Sequence, residues 1–206
     1  MTTTTLILAR HGHVEGIHPE RFRGRMEVPL SEKGEQQAAA LAATIAANFK
    51  PTAIYTSTLG RCIATGAQIS QACAVPAEPR PELGDIDYGD WQWKTHEDVK
   101  AADAARYALW RSAPHLVRFP SGESLQDVAV RAADLLRFVL DRHAGESVVL
   151  VGHDSVNRVL LSYLLDLPAT MYWGIAQEPC NLSLLEWSGT SAKLVRLNDV
   201  SHLQGL

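Results

Sequence analysis

Three short segments of the chain each place a reactive or anion-binding side chain directly after a run of apolar residues. Leu6 to Ala9 leads into Arg10, His11 and Gly12. Ala53 to Thr56 leads into Ser57, with Arg61 one helical turn further on. Ser147 to Val151 leads into Gly152, His153 and Asp154. A guanidinium is a planar fork of five donors that matches phosphate oxygens. A neutral imidazole can attack phosphorus, and a second, protonated one can stabilise charge on a group in transfer. Gly12 allows close backbone approach, and a helix starting after His153 points N–H groups toward an anion. The acids Glu82, Asp85 and Asp87 follow Pro81, and any of them can protonate a leaving alkoxide.

A histidine or arginine at one strand end is ordinarily a loop residue. Convergence of three such ends points instead to a site for a phosphate-type anion. A metal reading competes, because His11 and His13 form an HxH pair of the kind some hydrolases use. No further clustered His/Asp motif follows, and the chain is short for a (β/α)8 barrel of about 250 residues.

The elements that must position these groups follow from periodicity. Leu6–Ala9 and Ala53–Thr56 read as buried strands, and Ser147–Val151 is the strongest strand signal in the chain. Ser31 is a helix N-cap, followed by Ala38, Leu41, Ala42, Ile45 and Phe49 at helical spacing, with Pro51 as the stop. Leu59 to Cys73 reads as a helix closed by Val75-Pro76. Ser124 caps a long amphipathic helix, with Asp127 completing a capping box and Gly145 ending it. Val156 to Leu165 is helical, and Leu182–Trp187 and Lys193–Leu197 are closing strands. Residues 84–122 read as an irregular, aromatic-rich insertion. Strands alternating with helices imply an α/β fold, a three-layer α/β/α sandwich with a mostly parallel central sheet. In such sheets ligands bind beyond the carboxyl ends of the strands. Residues 1–206 are expected to form one domain, with 84–122 as a lid-like insertion within it.

With 206 residues, 46% hydrophobic and 20% charged, the chain can bury a real core without staples. A net charge of −4 argues against a dedicated nucleic-acid binder, which carries a basic surplus. No apolar run reaches the ~18 residues of a membrane span. Cys62, Cys73 and Cys180 are widely spaced and form no CxxC pair, which suits a reducing cytoplasm. Among the 19 basic residues, 14 are arginine, a skew that bidentate phosphate recognition favours and that a GC-rich genome also produces.

The ordered set of motifs resembles the histidine phosphatase superfamily in its phosphoglycerate mutase-like branch. The segments that carry the resemblance are Leu8-Ala9-Arg10-His11-Gly12, Phe22-Arg23-Gly24, Val28-Pro29-Leu30-Ser31-Glu32-Lys33-Gly34, Ser57-Thr58-Leu59-Gly60-Arg61, Tyr88-Gly89-Asp90-Trp91, Gly122-Glu123-Ser124, and Val151-Gly152-His153 with Arg158. They run in order from about residue 6 to 166. The resemblance implies a phosphohistidine mechanism with no metal or other cofactor. His11 would be the nucleophile. Arg10, Arg61 and His153 would hold the phosphoryl group, with Ser57 and Gly24 among the substrate-binding positions. Asp85, three residues before the aromatic-Gly pair, would be the proton donor.

The sequence departs from the family pattern at several points. His13 and Val14 stand where Glu or Gln and then Ser or Thr are usual, Ile17 where Asn is common, Trp93 where Gly is usual, and Asp85 where Glu is more frequent. Mutases of the family carry a longer insert and a basic pair for a second phosphate, and no adjacent Arg pair occurs between 85 and 122. The expectation is therefore a phosphatase for a small phosphorylated metabolite. Mutase-type transfer and a non-catalytic phospho-ligand or partner-binding role are the alternatives. Arg23 lies between Arg21 and Arg25. It is expected either to bind a second anionic group on the substrate or to belong to a solvated basic loop. The sequence sets no oligomeric state.

Overall fold

Leu6, Ile7, Leu8 and Ala9 are all buried because the strand they form is covered on both faces. Alternation along a strand sends neighbours to opposite sides. In the computed structural model, which describes residues 2–206, this strand is β1 (Thr4–Arg10). Leu6 and Leu8 join one core, together with Tyr55, Val148 and Leu150. Ile7 and Ala9 join the other, with Ile54, Val149 and Val151.

The remaining strands are β2 (Ala53–Thr56), β3 (Ala77–Pro79), β4 (Ser147–Gly152), β5 (Leu182–Trp187) and β6 (Ala192–Asp199). They form one sheet in the order β3-β2-β4-β1-β5-β6. Pairing is parallel from β3 through β1 and antiparallel on both sides of β5. Only β5 runs against the rest, so the fold is α/β with a mostly parallel sheet.

Helices α1 (Glu32–Asn48) and α2 (Gly60–Cys73) cover one face through Ala38, Leu41, Ile45, Cys62 and Ile69. Helices α5 (Leu125–Arg142) and α6 (Asp154–Leu164) cover the other through Val128, Leu135, Val139, Val156 and Leu160. The caps behave as their chemistry requires. The Ser31 hydroxyl accepts from the Gly34 N–H, and Ser124 and Asp127 form a reciprocal capping box.

The segment 84–122 is more regular than expected. It contains α3 (His96–Ala102) and α4 (Ala104–Ser112). Thr95 and Asp98 form a capping box for α3. Short helices with few buried residues give weak periodicity, which is why they read as loop. Their anchor is an aromatic cluster: Trp110 packs edge-on to Tyr88, Phe119 and Trp173. Strand β3, three residues long and ending in Pro79, also escaped the sequence pattern. Helix α6 begins at Asp154, two residues earlier than expected.

Candidate active site

The registers β1–β4 and β2–β4 bring Arg10 beside Gly152 and Thr56 beside Val151. The residues that follow each strand therefore meet at one edge of the sheet. His11 N–H continues the ladder to the Gly152 carbonyl (3.1 Å), and Ser57 N–H to that of Val151 (2.9 Å).

The loop after β1 is pinned by α2 and α1. Gly12 N–H donates to Thr65 Oγ1 (3.2 Å), and His13 N–H donates to Gln37 Oε1 (2.9 Å). Gly12 and Gly34 permit this approach. A Cβ on Gly34 would lie 2.1 Å from the His13 carbonyl oxygen, and one on Gly12 2.4 Å from that of Gly34.

That loop orients His11. Its Nδ1–H donates to the Gly12 carbonyl (2.7 Å), which leaves the lone pair on Nε2. Burial lowers the His11 pKa well below the ordinary imidazole value, and the Arg61, His153 and Arg10 charges reinforce this. The ring is thus neutral at pH 7. His153, its ring 5.1 Å away, is depressed in the same way, first by burial and then by Arg61 and Arg10. Its Nε2–H donates to Ser57 Oγ (2.8 Å).

Arg61, fully buried, connects the parts. Its Nε–H lies 3.2 Å from both His11 Nε2 and His153 Nδ1. Its Nη1 and Nη2 donate to the carbonyls of Met26 and Gly24 (each 2.7 Å). Nη2 also meets Asp85 Oδ2 at 3.3 Å. Asp85 Oδ1 accepts from Ile86 N–H (2.9 Å) and from the Ser155 hydroxyl. Burial raises the Asp85 pKa and nearby Asp154 adds to the rise, against the pull of Arg61. A carboxyl that holds its proton longer than usual is suited to donating it.

Beside this cluster lies a cavity of about 20 Å³, lined by Arg23, Gly24, Asp85, Tyr88, Asp154 and Arg158 among others. Arg10 and Arg23 are each 6% exposed, and the Nε of each has no hydrogen-bond partner. Buried donors left unpaired are costly unless a ligand meets them. A larger hollow, about 630 Å³ and bounded by Leu140, Tyr163, Asp166 and Trp187, lies at the opposite end of the strands. Asp166 is the one charged side chain in its lining.

The family model described as the histidine phosphatase superfamily, branch 1, matches residues 6–200. The chain belongs to the histidine phosphatase superfamily. Among curated histidine phosphatase relatives, "Phosphoserine phosphatase 1" of Hydrogenobacter thermophilus is 29% identical, over 96% of this chain and 93% of its own. "Probable phosphoglycerate mutase GpmB" of Cronobacter sakazakii is 32% identical, over 95% and 93%. Among solved structures, YhfR of Bacillus stearothermophilus superposes with a TM-score of 0.91 at 33% identity. That match covers 98% of this chain and all of YhfR. Membership of the superfamily, together with phosphatase-named relatives such as that of Hydrogenobacter thermophilus, supports a phosphatase.

Within this histidine phosphatase fold, His11, Arg61, His153, Ser57 and Asp85 make one contiguous network. Arg10 sits behind it, its Nη1 on the Gln177 carbonyl. Gly24 takes part through its carbonyl, as the acceptor for Arg61. Of the basic triplet, only Arg23 is buried; Arg25 is an exposed partner of Glu123 and Asp87, so the solvated-loop reading fails for Arg23. The HxH pair separates. His13 Nδ1 bonds Ser31 Oγ (2.8 Å) while His11 turns inward. Among the described residues no group of three or more His, Cys, Asp or Glu side chains is placed to hold a metal. No described helix is long and apolar enough to cross a membrane. Sequence reasoning gave no role to Asp154 or Ser155, nor to Cys62, whose thiol lies 3.4 Å from His153 Nε2. Asp154 and Ser155 had a legible signal: two polar residues opening a helix directly after a strand-end histidine.

Proposed function

We propose that the chain is a metal-independent phosphomonoesterase that works through a phosphohistidine on His11. One observation carries this reading: a neutral imidazole with its Nε2 lone pair set among Arg61, His153 and Arg10. In the first half-reaction His11 Nε2 attacks phosphorus. The P–O ester bond breaks, and its electron pair takes the Asp85 proton. In the second, the Asp85 carboxylate takes a proton from water, the water oxygen attacks phosphorus, and the N–P bond breaks to release phosphate. Arg10 and Arg61 offset the charge on the three equatorial oxygens, the main task in phosphoryl transfer, and His153, neutral on account of its burial, adds to this once the phosphoryl dianion stabilises its protonated form.

Hydrolysis is favoured over mutase-type return of the phosphoryl group, because the segment 84–122 brings no basic pair to the cavity. Arg23 is the candidate for a second anionic group. Residues 20–24 and 85–96 close the cavity, so these segments must move to admit a phosphomonoester, in keeping with a lid within a single domain. Three free thiols accord with a cytoplasmic setting. The test is a broad phosphomonoester panel with wild type and His11→Ala. Hydrolysis by the wild type alone, unaffected by EDTA, supports the reading. Activity that survives His11→Ala, or inactivity across the panel, overturns it.

A further inference from the structure

Helix α5 buries a stripe that includes Leu125, Val128, Ala132 and Leu135. Arg131 shares that face, three residues after Val128 and four before Leu135. A charged side chain on the inward side of a helix must find partners, and those of Arg131 are mostly backbone. Its Nη1 donates to the carbonyls of Glu82 (2.8 Å) and Gly84 (2.6 Å), and its Nη2 to that of Asp85 (3.2 Å). Nη2 also meets Glu123 Oε2 at 3.3 Å.

The Gly84 and Asp85 carbonyls belong to the two peptide planes that flank the Asp85 Cα. Holding both planes sets φ and ψ at Asp85, and with them the direction of its Cβ. Residues 84–88 lie in neither a helix nor a strand, so no ladder fixes their path. Glu123 holds the far side of the same loop. Its Oε2 accepts from Asp87 N–H (2.9 Å), and its own N–H donates to the Asp87 carbonyl (2.9 Å). Arg25, half-exposed, reaches the Asp85 carbonyl only at 3.5 Å. Arg131 and Glu123 are 16% and 18% exposed, which shelters the pair from screening.

Arg131 leaves the Asp85 carboxylate to Arg61, Ser155 and the Ile86 N–H. Those three turn the carboxyl group, whereas Arg131 fixes the backbone that bears it. Asp85 opens the segment that must yield to a phosphomonoester, so its return to one position needs an anchor outside that segment. Helix α5, packed on the sheet, supplies one.

We propose that Arg131 is a positioning residue for the acid of the reaction, acting through the backbone of residues 82–85. This deepens the phosphomonoesterase reading, on which it rests. A misplacement of about 1 Å can cost about 10²-fold in rate, and only the step that needs the Asp85 proton should feel it.

The test compares kcat/KM for ethyl phosphate and p-nitrophenyl phosphate in wild type, Arg131→Met, Asp85→Asn and the double variant. Arg131→Met is expected to lower the ethyl phosphate value about 10- to 100-fold and the p-nitrophenyl phosphate value by less than about threefold. In the Asp85→Asn background no proton is left to aim, so adding Arg131→Met should change ethyl phosphate turnover by less than about threefold. Equal losses on the two substrates, or the full loss repeated in the Asp85→Asn background, overturn the proposal. Should Arg131→Met fold poorly, Arg131→Lys keeps the cation without the fork. Its loss must again be greater for ethyl phosphate, and equal losses overturn the proposal.

A wild type that does not hydrolyse p-nitrophenyl phosphate refutes the phosphomonoesterase reading, and equal losses in Asp85→Asn refute the acid. Either result removes the role of Arg131 with it. An alkyl-selective Asp85→Asn beside a non-selective Arg131→Met overturns the role of Arg131 alone.

Discussion

Replacing Asp85 by Asn separates the chemistry of the acid from its structural role. The carboxylate makes three hydrogen bonds. Oδ1 accepts from Ile86 N–H and Ser155 Oγ–H, and Oδ2 faces Arg61 Nη2 at 3.3 Å. An Asn keeps the Oδ1 side if its carbonyl takes that position. Its NH₂ then opposes the Arg61 donor, a donor–donor contact worth about 1–3 kcal/mol when buried. That cost disturbs the Arg61 hub and falls equally on every substrate. Loss of general acid catalysis is different. It is worth about 10²–10⁴-fold, or roughly 2.7–5.4 kcal/mol, and applies only where the leaving oxygen needs a proton. The assay therefore compares kcat/KM for an alkyl phosphate and for p-nitrophenyl phosphate in wild type and Asp85→Asn. The alkyl loss should exceed the aryl loss by about 10² or more. In wild type the alkyl rate should fall on the alkaline side as Asp85 deprotonates, and that limb should vanish in the variant. Equal losses on both substrates would refute the assignment and leave Asp85 as a support for Arg61.

Arg23→Gln should lower kcat/KM for a phosphorylated acid by about 10- to 150-fold and spare a neutral phosphomonoester; equal loss on both would make Arg23 a general phosphate contact. Gly34→Ala should abolish activity and destabilise the fold, since its Cβ would meet backbone at 2.1 Å. Gly60→Ala should be mild, because its nearest contact is the flexible end of Glu27 at 3.1 Å; activity at wild-type level in Gly34→Ala would contradict the pinning of the nucleophile loop. Trp110→Ala should cost about 3–5 kcal/mol of stability by denaturant unfolding, as it removes the centre of the aromatic cluster. His11 and His153 have folded pKa values depressed below the unfolded value of ~6.5. The unfolded chain therefore binds these protons more readily, and their stability contribution is present above pH ~6.5 and lost as pH falls toward the folded values. The slope is at most about 1.4 kcal/mol per pH unit for each ring, and thermal unfolding of the His11→Gln, His153→Gln double variant should show it reduced; an unchanged slope would contradict the depression.

Apart from β3, the strands and long helices were legible as short apolar or alternating runs and as stripes at helical spacing. Arg10-His11-Gly12 and Gly152-His153 could be placed together from the rule for parallel sheets alone. What the pattern did not carry was three-dimensional partnership. Nothing in the spacing said that Arg61 would reach both imidazoles and two loop carbonyls, or that Ser155 would hold Asp85. The burial of Arg23 depends on loop packing, as its neighbours Arg21 and Arg25 have the same charge and different fates. Helices α3 and α4 were missed because each buries a single residue fully, Val99 and Trp110, too few to make a stripe.

The central claim is a covalent phosphohistidine on His11, and its direct measurement is rapid-quench mass spectrometry during the first turnover. The account predicts an acid-labile phosphate on His11, formed before product release and absent from His11→Ala. Phosphate on another residue, or turnover in His11→Ala, would contradict it.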